Sequence, residues 1–358
     1  MGLSKIILNI ALAVVDLCTF WVRQDPKRIT FVSLTQDHLS SDFALIDQKL
    51  KGKGYHVFYN LIRFEKNLKG DFLYFLNCLK QWVDLKRSKL VIINDNNYVI
   101  SHKKPENTKV LQIWHAAGAI KKFGNDIHRR YPIRNYDAVI CSAPAWKPVY
   151  ARAFGVKEQQ VYVTGLPRID TLMTADTEAF YRKYPQARGK KICLYAPTFR
   201  GNIIDGFQRI SFDIKKVEQM LPDWLILYKF HPLLDDLQIP DCQAINANKE
   251  DLYVLMQVSD CMVSDFSSIL LDYSLLGKPQ IGYIPDYGTY EQEIGVNISK
   301  EEYPGPICTN ETELVQAIQS LDTYDYEKER AFQKTYIIHN DGKNTDRVAE
   351  LIDEMMKG

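Results

Sequence analysis

The chain has 358 residues, 46% apolar, 25% charged and 12% aromatic, with 45 basic against 44 acidic side chains. That balance excludes a disordered, collagen-like or coiled-coil chain, and a net charge of +1 gives no overall field to draw it to nucleic acid. The length suits two domains better than one, because single cores stop growing near about 250–300 residues. The seven cysteines are scattered singly and show no metal spacing, which reads as reduced thiols of a cytoplasmic protein and as no metal site.

The chain opens on an almost wholly apolar run, Ile6 to Val22, broken by Asn9, Asp16 and Thr19 and flanked by Lys5, Arg23, Lys27 and Arg28. It is short for a membrane span, contains a carboxylate and is followed by no small-residue cleavage site, so a span and a signal peptide are the weaker readings. An N-terminal amphipathic helix over residues 1–27, lying in a membrane interface or packed on the protein, fits better. Strands are then predicted at Arg28–Leu34, Tyr55–Asn60, Leu90–Ile93, Lys109–Trp114, Ala138–Cys141 and Gln160–Thr164, with helices at Asp42–Lys53 and Phe72–Lys86. Leu166 to Lys190 carries no β-rich segment and reads as a linker. The alternation restarts with strands at Lys191–Tyr195, Trp224–Lys229, Ala244–Ile245, Cys261–Val263 and Pro279–Tyr283, and a helix around Leu252–Gln257. Helices Glu311–Leu321, Tyr326–Lys334 and Asn344–Met356 close the chain. Short β-branched runs alternating with helices define an α/β protein of two Rossmann-like, doubly wound domains facing an interdomain cleft, residues 28–170 and 171–358.

In open parallel sheets ligands bind beyond the carboxyl ends of strands, so polar residues just after strands carry the chemistry. Four junctions stand out. In the first, Trp114-His115-Ala116-Ala117-Gly118, a strand delivers a histidine into a small-residue turn; His115 has the pKa range of a general base, although a structural, hydrogen-bonded histidine has the same local pattern. Lys121, Lys122, His128, Arg129, Arg130 and Arg134 follow and offer either an anion site or a solvated face. In the second, Ala196-Pro197-Thr198-Phe199-Arg200, Thr198 and the forked donors of Arg200 suit a phosphate. The third, Lys229-Phe230-His231-Pro232, presents His231 as a phosphate donor. In the fourth, Ser264-Asp265-Phe266-Ser267-Ser268, the serine hydroxyls and the amides of the helix that follows suit a diphosphate, with Asp265 as a partner or as the helix cap and Asp272 as an acceptor for a sugar hydroxyl. Asp235-Asp236 reads as a surface turn rather than a cation site.

These four segments, WHAAGAIKKFG, YAPTFRG, KFHP and SDFSSILLDY, in this order, resemble the CDP-glycerol glycerophosphotransferase family of teichoic acid synthesis in Gram-positive bacteria, from about Leu111 to the end of the chain. The resemblance implies a GT-B-like fold with CDP-glycerol held mainly by the C-terminal domain and no cofactor or metal. His115 and His231 match the catalytic histidines; Thr198, Arg200, His231, Ser264, Asp265, Ser267, Ser268 and Asp272 match donor positions; Trp114, Gly118, Lys121, Lys122, Arg129 and Arg130 fall on the acceptor side. The implied reaction moves glycerol phosphate to an undecaprenyl-diphosphate-linked N-acetylmannosaminyl-N-acetylglucosamine at the cytoplasmic face of the membrane and releases CMP. The WHAAGAIKKFG form resembles the primases of the family. A polymerase, another CDP-polyol transferase and a nucleotide-sugar glycosyltransferase on the same fold stay open, as do glycerol against ribitol and a homo-oligomer.

Overall fold

Runs such as Ile-Thr-Phe-Val and Leu-Val-Ile-Ile are apolar on both faces, which only a parallel sheet covered on both sides can bury. The structure, a computed structural model, describes residues 3–198, 200–202, 206–208, 211–230 and 237–357. It divides into two units, residues 1–115, 123–168 and 341–358 in the first and 116–122 and 169–340 in the second.

The first unit contains α1 (Leu3–Cys18), β1 (Asp25–Ser33), α2 (Ser41–Leu50), β2 (His56–Leu61), α3 (Leu68–Arg87), β3 (Ser88–Ile93), α4 (Tyr98–His102), β4 (Lys109–Gln112), β5 (Ala138–Cys141), α5 (Lys147–Phe154) and β6 (Val161–Val163). All strands are parallel, in the order β2-β1-β3-β4-β5-β6, so the order reverses between β1 and β3. The second unit contains α6 (Thr177–Lys183), β7 (Lys191–Tyr195), β8 (Arg200–Asn202), β9 (Gly206–Gln208), α7 (Ile214–Met220), β10 (Trp224–Tyr228), β11 (Ile245–Asn246), α8 (Leu252–Val258), β12 (Cys261–Ser264), α9 (Ile269–Ser274), β13 (Gln280–Tyr283), α10 (Tyr287–Glu293), β14 (Ile307–Cys308), α11 (Glu311–Gln319) and α12 (Tyr326–Tyr336). Its parallel sheet runs β11-β10-β7-β12-β13-β14, with the reversal between β7 and β12.

Four expectations need correction. The last helix, α13 (Asn344–Lys357), does not close the second domain: Val348, Leu351, Ile352 and Met355 pack with Ile29, Phe31, Ile46 and Leu90 of the first, so the chain returns to the sheet it began. Residues 116–122, assigned to the N-terminal domain, group with the second unit through a bridge from Lys121 to Val296 and bonds from the Asn297 side chain to the Ala119 and Lys121 carbonyls. The fourth strand stops at Gln112 rather than Trp114, because Trp114 turns to a φ of 40°, in the left-handed region. The stretch 166–190 carries the helix-like run expected of it, a 3₁₀ segment at Pro167–Thr174 with α6 after it, but Arg200, expected in a strand-to-helix loop, begins an antiparallel hairpin with β9.

The N-terminal helix reverses the usual arrangement of an amphipathic surface helix. Its polar residues face the protein: Asp16 accepts from Trp82 Nε1 at 3.2 Å and from Lys86 at 3.0 Å, and Asn9 accepts from Tyr98 at 2.6 Å. Leu8 and Leu12 are buried beside them, while Ile6, Ile7, Ile10, Val14 and Leu17 point outward. Leu17 is 74% exposed, and Phe20, just past the helix, 80%. Among the described residues no helix is long and apolar enough to cross a membrane.

Candidate active site

In the second unit the reversal of strand order draws the loops after β7 and β12 apart, and Asp265 closes the gap. Its carboxylate accepts from the Thr198 amide at 2.9 Å and the Thr198 hydroxyl at 2.8 Å, and from Arg200 at 2.7 Å. Ser264 adds a second stitch by donating to the Ala196 carbonyl at 2.7 Å. Asp265 is therefore not the cap of α9, whose first residue follows Ser268 without a side-chain cap bond. Arg200 also grips Asp286, with Nε donating at 2.7 Å and Nη2 at 3.1 Å, and lies 4.5 Å from the Tyr290 ring centroid. The forked donor expected to hold a phosphate is thus largely engaged by two carboxylates. Burial works against its charge, the carboxylates outweigh burial, and its pKa stands above the usual arginine value. Lys121 lies 6.0 Å from the Tyr290 ring; burial lowers its pKa, Asp265 opposes that effect and Arg200 adds to it. Ser267 and Ser268 are half-buried at the carboxyl end of β12, where a ligand can reach them.

Asp272, expected to meet a sugar hydroxyl, is instead buried inside the unit and accepts from Tyr253 at 3.2 Å. As the fourth residue of the short helix α9 it lies on that helix's buried face. His231, with Asp235 and Asp236, lies outside the described residues.

In the first unit the equivalent gap, between β1 and β3, is closed by Asp95, which accepts from the Leu34 amide at 2.6 Å and from the Ser33 hydroxyl at 3.4 Å. Among the described residues no cation accompanies it, and burial pushes its carboxyl up to about 7 against those hydrogen bonds. The same loop sets His115. The Asn94 carbonyl lies 3.2 Å from His115 Nδ1; a carbonyl can only accept, so Nδ1 carries the proton and the lone pair falls on Nε2. The Asp95 carbonyl accepts from Gln112 Nε2 at 2.8 Å, and Gln112 Oε1 accepts from the Trp114 amide at 2.8 Å, which holds the left-handed turn that leaves His115 exposed. Trp114, expected on the acceptor side, is buried in an aromatic cluster with Phe123 and Phe154, each at 5.3 Å between ring centroids, and the His115 ring rests against it at 3.9 Å.

Of the remaining acceptor-side expectations, Gly118 is buried in the 116–122 segment, Lys122 is exposed on it, Arg130 is exposed, and Arg129 sits 5.7 Å from the Tyr131 ring. Sequence reading missed Asp95, Gln112 and Asp286. Asp95 and Asp286 each follow a strand within three residues, so the strand-end rule already pointed at them. Among the described residues no group of His, Cys, Asp and Glu side chains is placed to hold a metal ion.

Two doubly wound parallel sheets, with a tautomer-fixed histidine after one strand and hydroxyls gathered at the strand-order reversal of the other sheet, define a GT-B-like transferase. Residues 15–354 match the family described as CDP-glycerol:poly(glycerophosphate) glycerophosphotransferase, and the chain belongs to it. It is 31% identical over 360 residues to the teichoic acid ribitol-phosphate primase of Bacillus spizizenii, covering 92% of this chain and 91% of that one. It is 30% identical over 298 residues to the teichoic acid glycerol-phosphate primase of Staphylococcus aureus, covering 78% and 77%. The solved wall teichoic acid polymerase TagF shares the fold, with a TM-score of 0.76 at 22% identity over 98% of this chain and 94% of that one.

Removing the Arg200 guanidinium leaves the buried carboxylate of Asp265 without its cation. Arg200→Ala is expected to cost about 3–5 kcal/mol in denaturant unfolding, and Arg200→Lys to recover only part of it, because an ammonium cannot span both carboxylates. Donor affinity lost at unchanged stability would instead make Arg200 chiefly a phosphate ligand.

Proposed function

We propose that this chain is a teichoic acid primase, transferring one glycerol phosphate from CDP-glycerol to an undecaprenyl-diphosphate-linked N-acetylmannosaminyl-N-acetylglucosamine. The acceptor hydroxyl attacks the β-phosphorus, the new oxygen–phosphorus bond forms as the bond to the bridging oxygen breaks, and CMP leaves. The acceptor proton passes to Nε2 of His115. The observation that carries this reading is the placement of His115, an exposed imidazole just after β4 whose Nδ1 lies 3.2 Å from the Asn94 carbonyl, where a histidine can take a proton from an acceptor hydroxyl. Phosphoryl transfer asks the protein mainly for alignment and charge stabilisation. The hydroxyls of Ser267 and Ser268, with His231, supply the donors for the diphosphate in this scheme.

His115→Ala is expected to lower kcat by about 100-fold or more while the Kd for CDP-glycerol stays within about twofold, read by CMP release and calorimetry. Turnover at the wild-type level would remove His115 from the reaction. A second reading, CDP-ribitol as the donor, is favoured by the 31% identity to a ribitol-phosphate primase across nearly both chains. Mass spectrometry of the lipid-linked product, after incubation with each CDP-polyol in turn, is expected to show one added polyol phosphate from one donor. A ladder of masses would mark a polymerase.

The reading also places the protein on the cytoplasmic face of the membrane, with the outward apolar face of α1 lying in the bilayer interface. A helix that turns its carboxylate inward and its isoleucines outward exposes a surface that water-soluble proteins rarely leave bare. Ile10→Gln/Leu17→Gln is expected to release the enzyme from sedimenting phosphatidylglycerol vesicles, and undiminished sedimentation would refute this placement.

A further inference from the structure

A groove of about 590 Å³ lies in the first unit between α3 and the loop that follows β2. Its α3 side includes a helical stripe, Lys69, Leu73, Leu76 and Lys80, with the leucines in the middle and an ammonium at each end, and the lining as a whole carries the three cations Arg63, Lys69 and Lys80 against the one carboxylate of Glu65. Its other wall is held firmly. The amides of Ile62 and Phe64 donate to the Ser33 and Leu34 carbonyls at 3.0 and 3.1 Å, and the Phe64 ring packs edge-on against Tyr74 at 5.4 Å. Gly70 lets this wall close on the start of α3, since a Cβ there would stand 1.9 Å from the Glu65 carbonyl oxygen. Outside the groove the same helix leaves Leu68 and Phe72 exposed. An apolar floor between basic ends complements a hydrocarbon chain that carries a phosphate.

The groove opens at the carboxyl end of β2, the same end of the sheet at which His115 follows β4. Three strand spacings of roughly 4.8 Å separate them, about 14 Å in all, the reach of a disaccharide diphosphate. Between them lie Gln36, after β1, and Asn94, Asp95 and Asn96, after β3. This stretch is lined by amide and carboxyl side chains, the kind of group that pairs with sugar hydroxyls, and one oxygen of each is buried without a hydrogen bond. We propose that the groove between α3 and the 62–65 loop holds the hydrocarbon tail of the lipid-linked acceptor, its phosphate at the basic rim and its sugars running across β1 and β3 to His115. This assignment rests on the proposed transfer to a lipid-linked sugar.

The test is the dependence of KM on tail length, measured with one disaccharide diphosphate carried either on a full polyprenyl chain or on a single isoprene unit. In the wild type the long-tailed acceptor is expected to have a KM at least about tenfold lower, the equivalent of roughly two buried methylenes. Leu73→Gln/Leu76→Gln is expected to bring that ratio close to one and Leu76→Gln to lower it part way. Both leucines are about half exposed, so neither substitution opens the core. Equal KM values in the wild type, or a wild-type ratio in the double variant, would overturn the groove while leaving the transferase reading intact. A ratio lost only together with binding to phosphatidylglycerol vesicles would assign the groove to the bilayer and overturn it too. A wild-type enzyme that releases no CMP with either acceptor would overturn the functional reading and the groove with it.

Discussion

One constraint organises both halves of the molecule: where the strand order of a parallel sheet reverses, adjacent loops diverge and something has to span the gap. Both sheets use the same device. An aspartate just after the strand on one side of the reversal, Asp95 after β3 and Asp265 after β12, accepts the amide of a residue following the strand on the other side, Leu34 and Thr198. A hydroxyl, of Ser33 in one case and Thr198 in the other, accompanies the amide. Each crevice thereby keeps a fixed width, and the groups around it inherit their positions from that bridge.

The two bridges differ in charge. Asp265 has Arg200 beside it and the bridge extends through Asp286 into the loop after β13, so three loops move as one. Asp95 has only neutral donors, and burial raises its carboxyl to about 7. The second unit therefore surrounds its crevice with tightly paired charge. The first surrounds its crevice with amides and a carboxyl whose pKa burial raises. His115 belongs to the first unit, where its Nδ1 lies against the Asn94 carbonyl and Gln112 holds the turn before it.

Much of this was legible in the amino-acid order. Strands such as Lys191–Tyr195 and Ala138–Cys141 announce themselves because a strand buried on both faces has to be apolar throughout, and the polar residues Thr198 and Arg200 stand out after the first of them. What local order does not carry is partnership across distance. Arg200 reads as a phosphate ligand until Asp286, 86 positions later, is seen to engage it. Asp272 reads as an acceptor for a sugar hydroxyl, one turn after the serines, yet the six-residue helix α9 turns it inward. Trp114 and Gln112 form one turn whose strain no periodicity reveals.

The return of α13 to the first sheet bears on how the molecule is made. Ile29, Phe31 and Leu90 are translated early, but the helix that shields them is encoded beyond the whole of the second unit. During synthesis the leading sheet leaves the ribosome with one flank bare, while the trailing unit already has its own elements in hand. The half of the protein that appears first is the half that finishes last, and in that interval its unshielded flank is what a chaperone would meet.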